Sequence, residues 1–300
     1  MAATLDQLLA FITVAETGHF TRAAERLNLS QSSLSATIQR LEGLLGVRLF
    51  ERHTRGCKLS EAGLALLDSA RRMTQEWARM ESGASDFQKF GRGRLSVAAP
   101  TVQCALLLPP LLRAFQAEHP GVRVELHDVA EQEVQELVRT GAADLGVISQ
   151  TATRNELTAT PFYTDEYIVV LPPGHHLAKH KQVSWQHLVG ESIIGPMKGN
   201  PVRLRLDDAL ADKGFALGYD HEVSLPWTMI GLVREGFGVA VLTTAVLPLI
   251  RWNKLEARPL VRPTITRTLV LLRAEGRAID PLVASFSNRL LHLPRHERGG

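Results

Sequence analysis

Three short segments within the first 60 residues place their apolar positions at helical spacing. In the first, which ends at Gly18, these positions lie three or four residues apart at Leu5, Leu8, Ile12 and Ala15. A second helix is predicted from Thr21. After a break at 28–30, Ser30 is a good N-cap for a third helix that ends at Gly46. The apolar residues of the third helix share one face: Leu34, Ile38, Leu41 and Leu45.

A short hairpin and a long helix follow. The segments VRLFER and CKLS flank HTRG, whose Gly56 favours a tight turn, so a small β-hairpin is predicted. Beyond Glu61 a seven-residue repeat carries Leu66, Ala70, Met73, Trp77, Met80, Ala84 and Phe87. We expect this seam to join two subunits as a coiled coil, with contacts at Leu66, Met73, Trp77 and Met80. The alternative is a long helix that lies against its own domain.

After the linker FGRGR at 90–94 the pattern changes to alternating strands and helices. Strands are predicted at RLSVAA, VRVELHDV, DLGVIS, EYIVVLP, GVAVL and LVLL. Helices are predicted at LLRAFQAEH, EQEVQELVRT, PVRLRLDDALADKG and PWTMIGLVREG. Strands followed by crossover helices predict a parallel sheet. Because about 200 residues is large for one open sheet, we expect two lobes.

Composition and length narrow the class of protein. The chain has 300 residues, 45% hydrophobic and 22% charged, which excludes a disordered or collagen-like protein and predicts two or three domains. Its two cysteines, Cys57 and Cys104, are too few for a disulfide framework. The N-terminus lacks the basic leader of a signal peptide, and no apolar run is long enough to span a bilayer. We therefore expect a cytoplasmic protein without a membrane partner.

Positive charge is concentrated around the third helix. Residues 20–58 carry seven basic and three acidic side chains, a net charge of +4, whereas the whole chain carries +3. The face opposite Leu34 and Ile38 is small or hydrogen-bonding, which suits contact with DNA bases and phosphates. The candidate DNA-binding residues are Thr21, Arg22, Gln31, Ser32, Ser33, Ser35, Gln39, Arg40, Arg52 and Arg55. The alternative is an ordinary solvated surface.

The segment FTRAAERLNLSQSSLSATIQRLEGLLGVRLFERHTRGCKLSEAG (20–63) closely resembles the winged helix-turn-helix of LysR-type transcriptional regulators. That family's pattern is F-T-x-A-A-x-x-L-x-x-S-Q-x-x-L-S-x-x-I-x-x-L-E-x-x-L-G-x-x-L-F-x-R, followed by x-x-R and L-T-x-x-G. Every fixed position through Arg52 is matched, and so are Arg55, Leu59 and Gly63, while Ser60 replaces the threonine. Two departures, Ser32 and Ala36, stand where many members have Pro and a basic residue. They leave the operator sequence open.

The resemblance implies an architecture for the whole chain. It implies an all-α winged helix-turn-helix at 1–60, a linker helix for dimerisation at 61–90, and an effector domain at 91–300. The effector domain would be α/β and two-lobed, like periplasmic binding proteins, with lobe I at 93–163 and 267–292 and lobe II at 164–266. The implied partners are double-stranded DNA, a second copy in a homodimer or dimer of dimers, a small-molecule inducer and RNA polymerase.

The sequence of the effector domain lacks common catalytic signatures. It contains no P-loop motif, and GESIIG lacks the second glycine of a nucleophile elbow. His176 and His180 are four residues apart, but they lie in a Pro/Gly-marked loop with no carboxylate or cysteine beside them in sequence, so we expect no metal and no cofactor. Cys104 lies early in a helix, where its pKa could fall, but it has no resolving partner in the domain and is interpreted as a small buried side chain.

A ligand cleft is the remaining candidate site. Asn200 and Pro201 predict a helix start whose free N–H groups, together with Lys198, favour an anion such as a carboxylate. Thr101 could cap the first helix of the other lobe in the same way. By resemblance, the effector-binding set is Thr101, Val102, Asp128, Ser149, Lys198, Asn200 and Trp227. For each residue the alternative is ordinary loop capping.

The sequence therefore predicts a LysR-type transcriptional regulator, not an enzyme, that responds to an organic-acid inducer. The rival hypothesis is an enzyme or solute-binding α/β domain that carries an accessory DNA-binding module. The two are distinguished by testing the purified protein for catalysis and for DNA binding.

Overall fold

The computed structural model describes residues 3–53, 56–90, 93–150, 156–276 and 280–293. The chain divides into two compact units. The first comprises residues 1–93 with 140–142, and the second comprises 94–139 with 143–300. Within the described residues, no helix combines the length and the apolar character needed to cross a membrane.

In the described part of the first unit there are four helices and one hairpin. The helices are α1 (Leu5–Thr17), α2 (Phe20–Arg26), α3 (Gln31–Leu45) and α4 (Glu61–Phe90). The hairpin pairs β1 (Phe50–His53) with β2 (Gly56–Leu59) in antiparallel register. Gly18 and Gly46 end α1 and α3 in the left-handed conformation, with φ of 65° and 71°. The Ser30 hydroxyl caps α3 as the sequence predicts.

An apolar core holds these elements together. Leu34, Ile38 and Leu41 of α3 are fully buried in it, beside Ala23 and Ala24 of α2. The sequence analysis placed Leu45 on the same apolar face, and this is corrected, because its side chain is 44% exposed at the last turn of α3. Phe50 joins the hairpin to the core through edge-on contacts with the rings of Phe11 and Phe20.

The second unit is α/β. Its helices are α5 (Leu108–Glu118), α6 (Glu131–Thr140), α7 (Pro201–Ala211), α8 (Pro226–Arg234), α9 (Leu247–Trp252) and α10 (Pro281–Leu291). Its strands are β3 (Arg94–Ala99), β4 (Arg123–Asp128), β5 (Leu145–Ser149), β6 (Leu157–Leu171), β7 (Val183–Ser184), β8 (Ile193–Pro196), β9 (His221–Val223), β10 (Val239–Thr243), β11 (Glu256–Val261) and β12 (Thr266–Ala274).

The strands form two sheets that share β6. The first has the order β4-β3-β5-β12-β6, and the second continues from β6 through β10 and β8 to β9, while β11 pairs with β6 and β7. Residues 157–166 of β6 pair with β12, and residues 167–171 pair with β10 and β11. We call the elements around the first sheet lobe I and those around the second lobe II.

The parallel pairing that the sequence predicts is present in only part of the sheets. The pairs β3–β4, β3–β5, β8–β10 and β8–β9 are parallel. By contrast, β6 is antiparallel to β10, β11 and β12, and β12 is antiparallel to β5. The reason is that the chain passes between the lobes along β6 and returns along β12, so these two strands run in opposite directions.

Candidate functional site

The exposed face of α3 is the first candidate site. Gln31, Ser32, Ser33, Gln39 and Arg40 are exposed, and Ser35 is half-buried. On the opposite side the helix is fixed by its buried leucine and isoleucine residues. Because one face is packed against the core, the other presents short hydroxyl and amide groups that can approach a partner closely.

Hydrogen bonds order the beginning of this helix. The Ser30 hydroxyl accepts the N–H of Ser33 at 3.1 Å and lies within 3.0 Å of the hydroxyls of Ser32 and Ser33. Thr21 on α2 donates its hydroxyl to the side-chain oxygen of Gln31 at 3.4 Å. Arg22 of α2 is exposed. The N-terminal turn of α3 is thereby tied to α2, and polar groups from both helices lie on one surface.

Two residues that the sequence analysis considered only as positions of the family pattern fix the chain at the start of the hairpin. The carboxylate of Glu42 accepts the backbone N–H groups of Leu49 and Phe50 at 2.7 and 3.3 Å. Gly63 lies so close to the hairpin that an added Cβ would be 2.2 Å from the carbonyl oxygen of Leu49. A glycine is required there for α4 to pack beneath the hairpin. Two of the predicted DNA contacts lie outside the described part of the structure. The structure does not describe the side chain of Arg52 or any part of Arg55.

The seven-residue repeat of α4 has two different environments. Ala70 is buried and Leu66 is partly buried against the core of the first unit, so the start of the repeat packs within its own domain, while a subunit contact at Leu66 stays a prediction. Met73, Trp77 and Met80 are 59%, 43% and 56% exposed. The side chains of residues 82–90 lie outside the described set. The exposed stretch is thus a stripe of large apolar side chains beyond the domain core.

In lobe I, Thr101 donates its hydroxyl to Asp128 Oδ1 at 2.8 Å. The expectation that Thr101 caps a helix is therefore wrong: it lies within the first helical turn, and its hydroxyl is used by the carboxylate that ends β4. Cys104 lies nearby and donates its thiol to the carbonyl of Ala99 at 3.1 Å. Burial, together with the charge of Asp128, raises the pKa of Cys104 to about 12, which is the opposite of helix-start activation.

In lobe II, the predicted helix start is present but already has an anion beside it. Asn200 caps α7 by accepting the N–H of Val202 at 2.9 Å. The N–H of Lys198 donates to Glu222 Oε2 at 3.1 Å, and Arg203 pairs with Glu222 at 2.8 Å. Hydrogen bonds from Arg203 and Lys198 hold the pKa of Glu222 below its ordinary value. A carboxylate of the protein itself therefore occupies the anion position.

Ser149, at the end of β5, lies in a second group of polar residues. Its hydroxyl and its N–H donate to Glu131 Oε1 at 2.7 and 3.1 Å. The other oxygen of Glu131 accepts Nη2 of Arg205 at 2.7 Å. Glu131 begins α6 in lobe I and Arg205 lies on α7 in lobe II, so this ion pair joins the lobes. Sequence reasoning missed both residues, although Glu131 follows a parallel strand at the edge where ligands bind in such sheets.

A buried ion pair lies where β6 passes between the lobes. Arg267 donates to both oxygens of Asp165, with Nε at 2.9 Å from Oδ1, and to the hydroxyl of Thr243 at 3.0 Å. Burial acts to lower the pKa of Arg267, but the charge of Asp165 outweighs it and the pKa lies above its ordinary value. Burial raises the pKa of Tyr167, which also feels the charges of Arg267 and Arg205. The Asp165–Arg267 pair and the Glu131–Arg205 pair therefore both act on the same side chain, Tyr167.

The remaining effector candidates contribute apolar surface. Val102 of lobe I and Trp227 of lobe II are partly buried and pack against the same apolar cluster, which includes Met229 and Ile230 of α8. The structure therefore brings Thr101 to Asp128, and it packs Val102 and Trp227 against one apolar cluster. Lys198 and Asn200 lie at the start of α7, the helix that carries Arg205.

The sequence shows no carboxylate beside the histidines of lobe II, but the fold brings one close to them. Glu191 lies beside His175 and His176, with oxygen-to-Nε2 distances of 3.3 and 3.0 Å, so a carboxylate is adjacent in space. These three could hold a metal ion. However, Nδ1 of His175 accepts the N–H of Leu177 at 3.3 Å, which leaves the proton on Nε2, the nitrogen that a metal would need. Glu191 also lines a cavity of about 390 Å³ beside Trp185, Phe215 and Tyr219.

The structure combines a helix-turn-helix and a hairpin with a two-lobed α/β unit, an architecture typical of DNA-binding regulators. Residues 5–64 match the family described as bacterial regulatory helix-turn-helix protein, lysR family, and residues 88–294 match the LysR substrate binding domain. The chain therefore belongs to the LysR family of DNA-binding transcriptional regulators.

Two individual relatives support this family assignment, and one solved structure shows the same fold. The chain is 30% identical over 289 residues to the uncharacterized HTH-type transcriptional regulator YbhD of Escherichia coli (strain K12), covering 96% of this chain and 91% of YbhD. It is 31% identical over 242 residues to the HTH-type transcriptional regulator CysL of Bacillus subtilis (strain 168), covering 81% of each. Full-length CbnR complexed with its target DNA has the same fold, with a TM-score of 0.68 and 23% identity over 96% of this chain and 98% of CbnR.

Proposed function

We propose that this regulator binds DNA through the exposed face of α3 as a homodimer or a pair of dimers, and that an organic acid bound between the lobes changes its interaction with DNA. The observation that carries the DNA part is the exposure of Gln31, Ser32, Ser33, Gln39 and Arg40 on a helix whose other face is buried. Ser35 and Gln39 would contact base edges, and Thr21, Arg22 and Arg40 would contact phosphates. Arg52 and Arg55 are also proposed to contact DNA, and this part of the proposal rests on the sequence pattern alone.

The exposed apolar stripe on α4 supports the assembly part. Three large side chains of the seven-residue repeat, Met73, Trp77 and Met80, lie four and three positions apart; they are costly to leave in water and suit a matching helix. Two winged domains would then contact two half-sites. We extend the proposal to action in the cytoplasm, which the sequence composition favours, and to contact with RNA polymerase, which the LysR resemblance implies.

The organic-acid part rests on hydrogen-bond donors gathered around carboxylates in the second unit. Thr101, Ser149, the N–H of Lys198 and Arg205 all donate to carboxylate oxygens of the protein. Groups arranged in this way suit the carboxylate of a small molecule, and the apolar side chains of Val102 and Trp227 suit its body.

The test begins with selection of a cognate duplex from a randomised DNA pool by the full-length protein. The protein is then titrated onto that duplex with and without members of a carboxylate panel and their neutral amide counterparts. We expect at least one carboxylate to change the footprint while its amide does not. Response only to amides or to cations would contradict the organic-acid proposal and leave the DNA-binding part intact.

A further inference from the structure

The carboxylate of Glu131 lies between the lobes, where it accepts hydrogen bonds from Ser149 of lobe I and Arg205 of lobe II. We propose that Glu131 occupies the anion position of the lobe cleft when no effector is present, and that an effector carboxylate binds by displacing it from Ser149 and Arg205. The inference rests on the proposed function only in taking the cleft between the lobes as the effector site. It names the residues that the effector must engage and the protein group with which it competes.

Three donors converge on this carboxylate. The hydroxyl and N–H of Ser149 reach Oε1 at 2.7 and 3.1 Å, and Nη2 of Arg205 reaches Oε2 at 2.7 Å. Ser149 is buried and Glu131 is largely so, which strengthens these bonds relative to bonds in water. A hydroxyl, an amide N–H and a guanidinium arranged around two oxygens form a receptor for any carboxylate of suitable reach.

The bond between Glu131 and Arg205 also crosses the cleft. Ser149 and Glu131 belong to lobe I, at the end of β5 and the start of α6, whereas Arg205 belongs to α7 of lobe II. A carboxylate at this position holds the lobes together whether the protein or a ligand supplies it. Exchange of one for the other can therefore alter the separation of the lobes, because only Glu131 is tethered to α6.

Glu131 leaves one donor of this receptor unused. Nε of Arg205 is buried and has no hydrogen-bond partner among the described residues. A guanidinium binds a carboxylate best with Nε and Nη2 side by side, an arrangement that Glu131 does not reach. An untethered ligand carboxylate can rotate to take both donors and so gains a hydrogen bond that the internal group does not make. This gives the effector an advantage in the competition.

Rescue by acetate tests the proposal without knowledge of the natural effector. In the full-length Glu131→Ala protein the donors lose their acceptor, so sodium acetate should raise the melting temperature, while sodium chloride at the same ionic strength should not. Acetate should bind wild type about tenfold or more weakly, because Glu131 competes. Adding Arg205→Gln to Glu131→Ala should abolish the acetate response.

Arg203→Gln is the matched control. It removes an arginine–carboxylate ion pair from the same helix, two residues away, but Arg203 pairs with Asp207 and Glu222 inside lobe II. Glu131→Ala combined with Arg203→Gln should keep the acetate response. An equal response of wild type, or no advantage of acetate over chloride, would overturn the proposal. So would tighter binding of ethylammonium to wild type than to Glu131→Ala, since Glu131 would then bind a cation.

A second measurement applies if Glu131→Ala does not fold. Spin labels on exposed Gln132 of α6 and Asp208 of α7 report the distance between the lobes. Arg205→Gln should lengthen or broaden that distance, and Arg203→Gln should not. An unchanged distance in Arg205→Gln would overturn the proposal. Neither the melting temperature nor the spin-label distance uses DNA. If they contradict the role of Glu131, the proposed effector response still stands. If footprinting finds no effector, both quantities can still be measured.

Discussion

The exposed face of α3 and the polar group at the lobe cleft are built in opposite ways. The α3 face comes from one helix, and its candidate residues lie between Gln31 and Arg40. The cleft group joins Glu131, Ser149 and Arg205 from a helix start, a strand end and a second helix, and the ion pair spans 74 positions in sequence. The first is fixed by periodicity and local capping, whereas the second exists only after the sheets have formed.

The two regions also differ in how deeply their polar groups are buried. The α3 face is exposed, and its hydroxyls bond to near neighbours such as Ser30 and Ser33. In the second unit, Asp165 and Arg267 are buried together where β6 passes between the lobes. Substitutions on α3 should therefore change binding with little change in stability, and substitutions at the cleft should change both.

The largest effect is expected at the buried ion pair. Arg267→Met leaves Asp165 buried without its partner, so the free energy of unfolding should fall by about 3–5 kcal/mol. Urea denaturation followed by circular dichroism measures this. The double substitution Arg267→Met, Asp165→Leu should recover part of the loss, because no unpaired charge remains. A loss below about 1 kcal/mol for the single variant would show that water solvates Asp165.

The next effect concerns assembly through α4. Met80→Lys places a charge in the exposed apolar stripe and should dissociate the dimer, lowering affinity for a two-site operator about a hundredfold. Sedimentation velocity and anisotropy titration on the same sample measure both quantities. Ala78→Lys adds the same charge at an exposed position outside the stripe and should leave both unchanged. An unchanged dimer in Met80→Lys would mean that the stripe has another use.

The smallest effect is expected at Cys104. With a pKa of about 12, about one thiol in ten thousand is ionised at pH 8, so Cys104 should not react with iodoacetamide in the native protein. Peptide mapping after timed labelling measures the rate, and denatured protein gives the reference. Labelling of native protein at the denatured rate would contradict the buried assignment and would revive a redox role for lobe I.

Much of the fold was predictable from local signals. The helices of the first unit follow from apolar spacing and from glycines at their ends, and six strands of the second unit follow from apolar runs. Strands β8, β9 and β11 were missed: β8 includes Gly195 and Pro196, β11 contains Pro259, and β9 has only three residues, too few to show an apolar pattern. The antiparallel pairing of β12 depends on the path of the chain between the lobes.

The candidate site divides along the same line. The face of α3 was predicted because its residues share one helical period. Glu131 and Arg205 look like ordinary charged residues on helix surfaces, and only the sheet topology brings them to Ser149. Thr101 and Lys198 were predicted to face an anion of the effector, whereas in the structure they donate to Asp128 and Glu222 of the protein itself. A sequence pattern indicates donors and cannot show which acceptor they meet.

One measurement tests the central claim that α3 supplies base specificity. Wild type and Gln39→Ala are titrated onto the selected cognate duplex and onto a scrambled duplex at several salt concentrations. We predict that Gln39→Ala loses about 1–3 kcal/mol of affinity for the cognate duplex alone, with its salt dependence unchanged. Arg22→Ala should instead weaken binding to both duplexes and reduce the salt slope by about one. Equal loss on both duplexes for Gln39→Ala would contradict the assignment of α3 as the helix that contacts the bases.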